Sequence, residues 1–133
     1  MSFTREAVYT YVRNAIVTAH SGAHVTSRVE PITKTFPAIK VAEANRIRTQ
    51  QYATLANDDD QYESTFEIEI YSNKANGAVK EAYDILGTVE GAFKRLGYFE
   101  TFCDPIDNID PSVFRIMARF TRQIGMGDSL PQT

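Results

Sequence analysis

The strongest constraint on this chain lies between residues 64 and 120. Residues 65–71 alternate, with Phe66, Ile68 and Ile70 on one face and Glu67, Glu69 and Tyr71 on the other. A polar turn, Ser72-Asn73-Lys74, follows. Residues 77–96 then read as a helix, because Val79, Ala82, Tyr83, Leu86, Val89, Ala92, Phe93 and Leu96 recur at three- and four-residue spacing. Gly97 is placed to end it. Residues 98–103 and 113–124 read as strands, the last with Phe114, Ile116, Ala118 and Phe120 on its apolar side and Arg115, Arg119 and Thr121 opposite. Strands with one apolar face must be covered on that face only, and the helix supplies the cover. Gly87 and Gly91 each cost about 1 kcal/mol relative to alanine inside that helix. Their spacing suggests close approach to the sheet or to another helix.

The rest of the chain extends the same pattern. Residues 4–20 read as a first helix, with Val8, Tyr11, Val12, Ala15, Ile16 and Ala19 on one face, a cap at Ser2 or Thr4, and a stop at Gly22. Residues 24–29 and 38–44 read as strands separated by Pro31 and Phe36-Pro37. Residues 45–61 are polar, weakly periodic and end in Asn57-Asp58-Asp59-Asp60. They are expected to form a long loop or an extended hairpin arm leaving the sheet. Residues 125–133 are expected to be a loose tail. The predicted order is α-β-β-β-α-β-β: a single α+β domain over residues 1–133. Its mixed or antiparallel sheet of four or five strands carries two helices on one face. A chain of 133 residues can bury one modest core without a metal or a disulfide.

Composition narrows the function class. A net charge of −3 is unlike the basic excess of a general nucleic-acid coat. One cysteine, Cys103, excludes an internal disulfide and fits a reducing cytosol. No stretch reads as a signal peptide or as a membrane span.

No catalytic constellation emerges. His20 and His24 are four apart, but Gly22 breaks the helix between them and no glutamate accompanies them, so they read as solvent-facing turn histidines. Asp58, Asp59 and Asp60 lack the spacing and glycine turn of a calcium loop. Cys103 reads as a half-buried strand cysteine without a partner base. Asp104, Asp107 and Asp110 flank prolines and mark turns. Gly125-Met126-Gly127 is too short to cradle phosphate, and no dinucleotide fingerprint is present. The sequence predicts no enzyme activity, no metal and no cofactor.

Charge is segregated. Arg28, Lys34, Lys40, Arg46 and Arg48 make the middle of the chain basic, and residues 58–69 hold six acids without a base. These segments either neutralise each other within one molecule or meet head to tail between copies. If the strand at 62–72 pairs with the last strand, Glu67 and Glu69 share a face with Arg115 and Arg119. Such cross-strand pairs contribute only about 0.2–1 kcal/mol each. That face is therefore plain surface or a polar contact surface, not a second core.

The run Phe66-Glu67-Ile68-Glu69-Ile70-Tyr71-Ser72-Asn73-Lys74 and the helix with Glu81, Ala82, Ile85 and Val89 resemble small proteins of long-tailed phages and prophages. Leu96-Gly97-Tyr98, Thr101-Phe102-Cys103-Asp104-Pro105, Asn108, Asp110 and Phe114-Arg115-Ile116 extend the likeness. The family is the tail terminator, or tail-completion, group of tail-to-head joining proteins. The resemblance implies a hexameric ring that caps the tail tube, ends tail polymerisation and presents a surface to the head-tail connector. It implies a virion protein assembled in the host bacterial cytoplasm, through which DNA passes without sequence-specific binding, and no membrane association. The alternatives are another neck component (a head-closure or adaptor ring), a small hydrolase built on His20, His24 and the aspartates, or a bacterial binding module. The candidate interface residues are Arg46, Arg48, Asp58, Asp59 and Asp60 on the long loop, and Glu67, Glu69, Arg115 and Arg119 on the polar sheet face.

Overall fold

A computed structural model of the chain describes residues 3–27, 36–48, 62–107, 110–125 and 128–131. The elements follow in the order α1 (Arg5–Ala19), β1 (His24–Thr26), β2 (Ala38–Arg48), β3 (Tyr62–Ser72), α2 (Ala78–Arg95), β4 (Phe99–Pro105) and β5 (Phe114–Ile124). The expected α+β order is the observed one. The strands form one mixed sheet in the order β1-β2-β3-β5-β4, parallel at β1/β2 and antiparallel elsewhere.

Each helix forms for a local reason. Thr4 caps α1, its Oγ1 accepting from the Ala7 amide at 3.1 Å, and Val8, Val12 and Ile16 are fully buried at one-turn spacing. Burial of each contributes about 1.5–3 kcal/mol. In α2, Ala82, Ile85, Leu86, Val89, Ala92 and Phe93 face the sheet. Lys94 and Arg95 stand in its last turn, where the helix dipole favours cations. Both helices lie on the sheet face that carries Ile39, Val41, Phe66, Ile68, Ile70, Ile116 and Phe120.

The centre of the core is aromatic. Phe93 of α2 stacks on Phe120 of β5 with ring centroids 4.5 Å apart. It also meets Phe66 of β3 at 5.6 Å and Tyr98 edge-on at 5.2 Å. Such ring pairs add about 0.5–1.5 kcal/mol beyond area burial.

Two segments differ from the sequence reading. Residues 45–48, expected in the long loop, continue β2 and pair with β3, ending at Arg48 opposite Tyr62. Their polarity hid the strand, because Asn45, Arg46 and Arg48 leave Ile47 as the one apolar residue and no alternation to read. Residues 49–61 lie outside the described residues. The described part of the C-terminal tail, residues 125 and 128–131, is docked rather than loose: Leu130 is buried, and Asp128 accepts from the Gly125 amide at 2.8 Å and pairs with Arg122 at 3.1 Å.

The glycines of α2 divide by role. Gly97, just beyond the helix, has φ +82°, and a Cβ there would stand 3.0 Å from the Arg122 guanidinium. Arg122 also donates to the Leu96 carbonyl, so this corner is filled. Gly87 and Gly91 do not make the expected close approach. A Cβ at Gly87 would meet nothing within 4 Å, and one at Gly91 only the Arg95 side chain at 3.6 Å. Gly87→Ala should therefore raise stability by about 0.5–1 kcal/mol. Gly97→Ala should lower it by about 1–2 kcal/mol. Thermal unfolding followed by circular dichroism measures both, and equal signs would contradict this packing.

Candidate assembly surfaces

The outer sheet face carries a charge network set by strand register. Glu67 stands opposite Arg119 and is bonded to it at 3.3 Å. Glu69 stands opposite Met117 in β5 and reaches diagonally to Arg115, whose guanidinium donates to Oε1. On its other side Lys40 of β2 reaches Glu67 at 3.2 Å and Glu69 at 3.1 Å. The Tyr71 hydroxyl donates to Glu69 at 3.1 Å, beneath the Arg115 guanidinium. These long side chains cover Glu69 so fully that it is only 3 % exposed. Burial would raise its carboxyl pKa, but the hydrogen bonds and charges of Arg115 and Lys40 outweigh it, and the carboxyl lies below its usual range. Basic and acidic segments thus neutralise each other here within one molecule. Glu67, Glu69, Arg115 and Arg119 share one face, as the alternation requires, and Lys40 is the member that the sequence reading did not group with them.

Arg46 belongs elsewhere. A register shift between Glu43 and Asn45 inserts one residue into β2. Residues three apart on a regular strand face opposite ways; here the bulge turns Glu43 and Arg46 to the same, helix-bearing side. The Glu43 side chain is 1 % exposed and takes a forked bond from Arg46, at 3.1 Å to Nε and 2.8 Å to Nη2. Ser64 donates to Glu43 at 2.7 Å, and buried Tyr98 donates to Ser64 at 2.9 Å. Arg46 also donates to the Phe3 carbonyl at 2.7 Å, tying the start of the chain to the sheet. Burial again would raise the Glu43 pKa, but Arg46 and Ser64 bonds outweigh it and hold it low. This cluster closes one end of the core. Arg46, expected on a loop as an interface residue, is therefore engaged internally on a strand. Arg48 ends β2, and Asp58, Asp59 and Asp60 lie outside the described residues.

The remaining candidates take structural places. His20 meets the Thr88 hydroxyl at 2.8 Å and links the end of α1 to α2, so it is not a free turn residue. Asp110 accepts from the amide and hydroxyl of Ser112 at 3.0 and 2.7 Å, as a turn aspartate does. Cys103 is exposed, because β4 lies at the sheet margin and all its residues are exposed. Desolvation, then the charges of Glu100, Glu90 and Asp104, raise its thiol pKa, which disfavours the nucleophilic thiolate. Among the described residues no cluster could hold a metal ion, and no helix is long and apolar enough to cross a membrane. An open groove between the helices runs past Ala7, Tyr11 and Asn14 of α1 and Gly87, Thr88 and Gly91 of α2. Its lining includes neither histidine nor cysteine.

The sheet margin at β4 is chemically distinct. Among the described residues β4 pairs only with β5, and no strand stands along its other edge. Phe99 is 61 % exposed and Phe102, beneath the Arg119 guanidinium, 39 %. A register shift between Glu100 and Phe102 turns Glu100 to the helix side. There it shares a hydrogen bond with Glu90 of α2. Desolvation, then that bond and the Glu90 charge, push the Glu100 carboxyl up to about 7.

These shifts give stability two opposed pH limbs. Glu43 and Glu69 are held below the ordinary 4.5, so their contribution is present above that value and is lost as pH falls through their folded pKa. Glu100 binds its proton more tightly in the folded chain, so its contribution is present below 4.5 and is lost as pH rises through about 7. Urea titrations across this range should show stability declining between pH 5 and 7 in the parent and a flatter limb in Glu100→Gln (window from the pKa of about 7). An identical decline in both proteins would contradict the shared proton.

No family model and no curated relative matches the chain. Solved structures do. The chain superposes on a protein of the virion of a native gene transfer agent particle with TM-score 0.58 and 13% identity, over 93% of this chain and 99% of that one. It also superposes on the PVC sheath/tube terminator of an extracellular contractile injection system in its extended state, with TM-score 0.51 and 9% identity, over 100% of this chain and 62% of that one. The chain thus shares its fold with a protein of a gene transfer agent virion and with a sheath/tube terminator, which is consistent with the resemblance read in residues 62–120.

Proposed function

We propose that the chain is a structural protein of a phage-type tail, acting as a ring that caps the tail tube, ends its growth and offers a surface to the head connector. The observation that carries this reading is the fold likeness to a sheath/tube terminator along the entire chain. The surfaces support it. The core is one-sided, the outer sheet face carries a network of ion pairs, and β4, with two exposed phenylalanines, has no strand along its outer edge among the described residues. These are features of a protein that works by contact. A subunit with net charge −3 suits a channel that DNA crosses without adhering.

A hexameric ring is the assembly that this reading carries, with the tail tube protein on one side and the connector on the other. The chain would then reside at the tail end of the virion and perform no bond-breaking chemistry. Electron microscopy of particles made without this protein tests the role. Overlong, uncapped tails beside filled, separate heads are the expected result. Tails of normal length without heads would reduce the role to joining, and intact particles would refute it.

A further inference from the structure

Two stretches of strand backbone have no strand beside them among the described residues. One is the outer edge of β4. The other lies on β2. β1 pairs with β2 only at Ala38, Ile39 and Lys40, so residues 41–48 have a strand neighbour, β3, on one side alone. β2 has 11 residues, and those left by β1 make a stretch about as long as the seven of β4. Their directions fit. β2 is antiparallel to β3, β3 to β5 and β5 to β4, so β2 and β4 run in opposite senses. A second copy placed beyond β4, in the orientation of the first, brings its β2 antiparallel to β4 with its helices on the same side of the sheet. The exposed apolar side chains fit as well. Phe99 stands opposite Thr121 and Phe102 opposite Arg119, so both rings lie on the outer face, away from the helices. Ile47 stands opposite Glu63, and the alternation of β3 puts that pair on the outer face too. Ile47 is 54 % exposed, so each margin shows uncovered apolar area on the same face.

We infer that β4 of one copy pairs antiparallel with residues 41–48 of β2 in a second copy, so that one sheet runs from molecule to molecule and Ile47 of one packs against Phe99 and Phe102 of the other. Backbone groups on the two edges exchange water for each other, and the three side chains contribute apolar area that strand pairing alone lacks. Charge selects this pairing over a two-fold one. β4 holds Glu100 and Asp104 and no cation, so β4 paired with its own copy would carry four carboxylates, two from each, and no cation. Residues 41–48 hold two arginines and one carboxylate, Glu43, which Arg46 already neutralises. The acidic strand therefore meets no unpaired acid there. The contact joins unlike edges, so it propagates head to tail and closes if the rotation between copies allows. The contact rests on the strand edges; only its closure into a ring rests on the function proposed above.

Disulfide trapping of the full chain tests this in a Cys103→Ser background, which removes the native thiol. Cysteine is placed on β2 by Ile47→Cys and on β4 by Phe102→Cys or Phe99→Cys, since either ring can stand opposite Ile47. Mild oxidation of a chain with both the β2 and a β4 substitution should give a ladder of covalent oligomers that reductant collapses to monomer. An equimolar mixture of the singly substituted chains should stop at a dimer, because each brings one reactive edge. A β4 variant that dimerises as readily alone would show β4 meeting β4 and overturn the inference. So would a mixture that yields no covalent dimer with either β4 position. Sedimentation equilibrium supplies the reversible measure. Ile47→Lys and Phe99→Lys should each weaken self-association of the parent about tenfold, and circular dichroism should show both folded, because both side chains are exposed. Parent association unchanged by both substitutions, or a parent monomeric to about 1 mM, would also overturn it. A ring built through other surfaces would survive that failure, and the tail phenotype would still decide the function.

Discussion

The structure depends on one contact: Phe93 of α2 set into the apolar face of the sheet, stacked on Phe120 and touching Phe66 and Tyr98. This cluster joins the helix to β3 and β5, the strands around which the sheet is built. Because both helices cover the same face, the opposite face has no apolar partner and must be stable in water. It achieves this by mutual neutralisation, with Lys40, Arg115 and Arg119 around Glu67 and Glu69. The outermost pair, Glu67 with Arg119, contributes little by itself, but the network as a whole covers the buried Glu69. A one-sided core therefore leaves a polar outer face that no helix covers among the described residues.

Two carboxylates on the helix side of the sheet, one buried and one exposed, have opposite surroundings. Glu43 seals the core where β2 bulges, bringing Arg46, Ser64, Tyr98 and the Phe3 carbonyl into one connected set. An unpaired carboxylate in that position would cost several kcal/mol, so the bulge that places Arg46 beside it is a requirement of the fold. Glu100 is the reverse case. It is crowded by another carboxyl at an exposed margin, and nothing in the fold's interior depends on it.

Much of this was legible in the sequence because the strands alternate strictly. Phe66, Ile68 and Ile70, and Phe114, Ile116, Ala118 and Phe120, name the core face, and the same period places Glu67, Glu69, Arg115 and Arg119 together opposite. What stayed hidden required knowledge of register or of three-dimensional neighbours. The bulge at Glu43/Asn45 reverses the facing of Arg46, and no local signal marks it apart from the polar Glu43 on an otherwise apolar face. Phe3 and Leu130 are single apolar residues outside any periodic segment, yet both join the core, Phe3 with its ring beneath the Arg122 guanidinium. Glu90 and Glu100 meet because α2 runs back along the strand that follows it.

The central claim is that this protein acts through margins left open by a one-sided core. Hydrogen–deuterium exchange of the β4 amides, compared between the free chain and assembled tail particles, tests it most directly. The account predicts rapid exchange along the outer edge of β4 in the free chain and strong protection in the particle, with the amides of β3 protected in both. Equal exchange of β4 in the two states would mean that the open margin stays open in the assembly, and the account would fail.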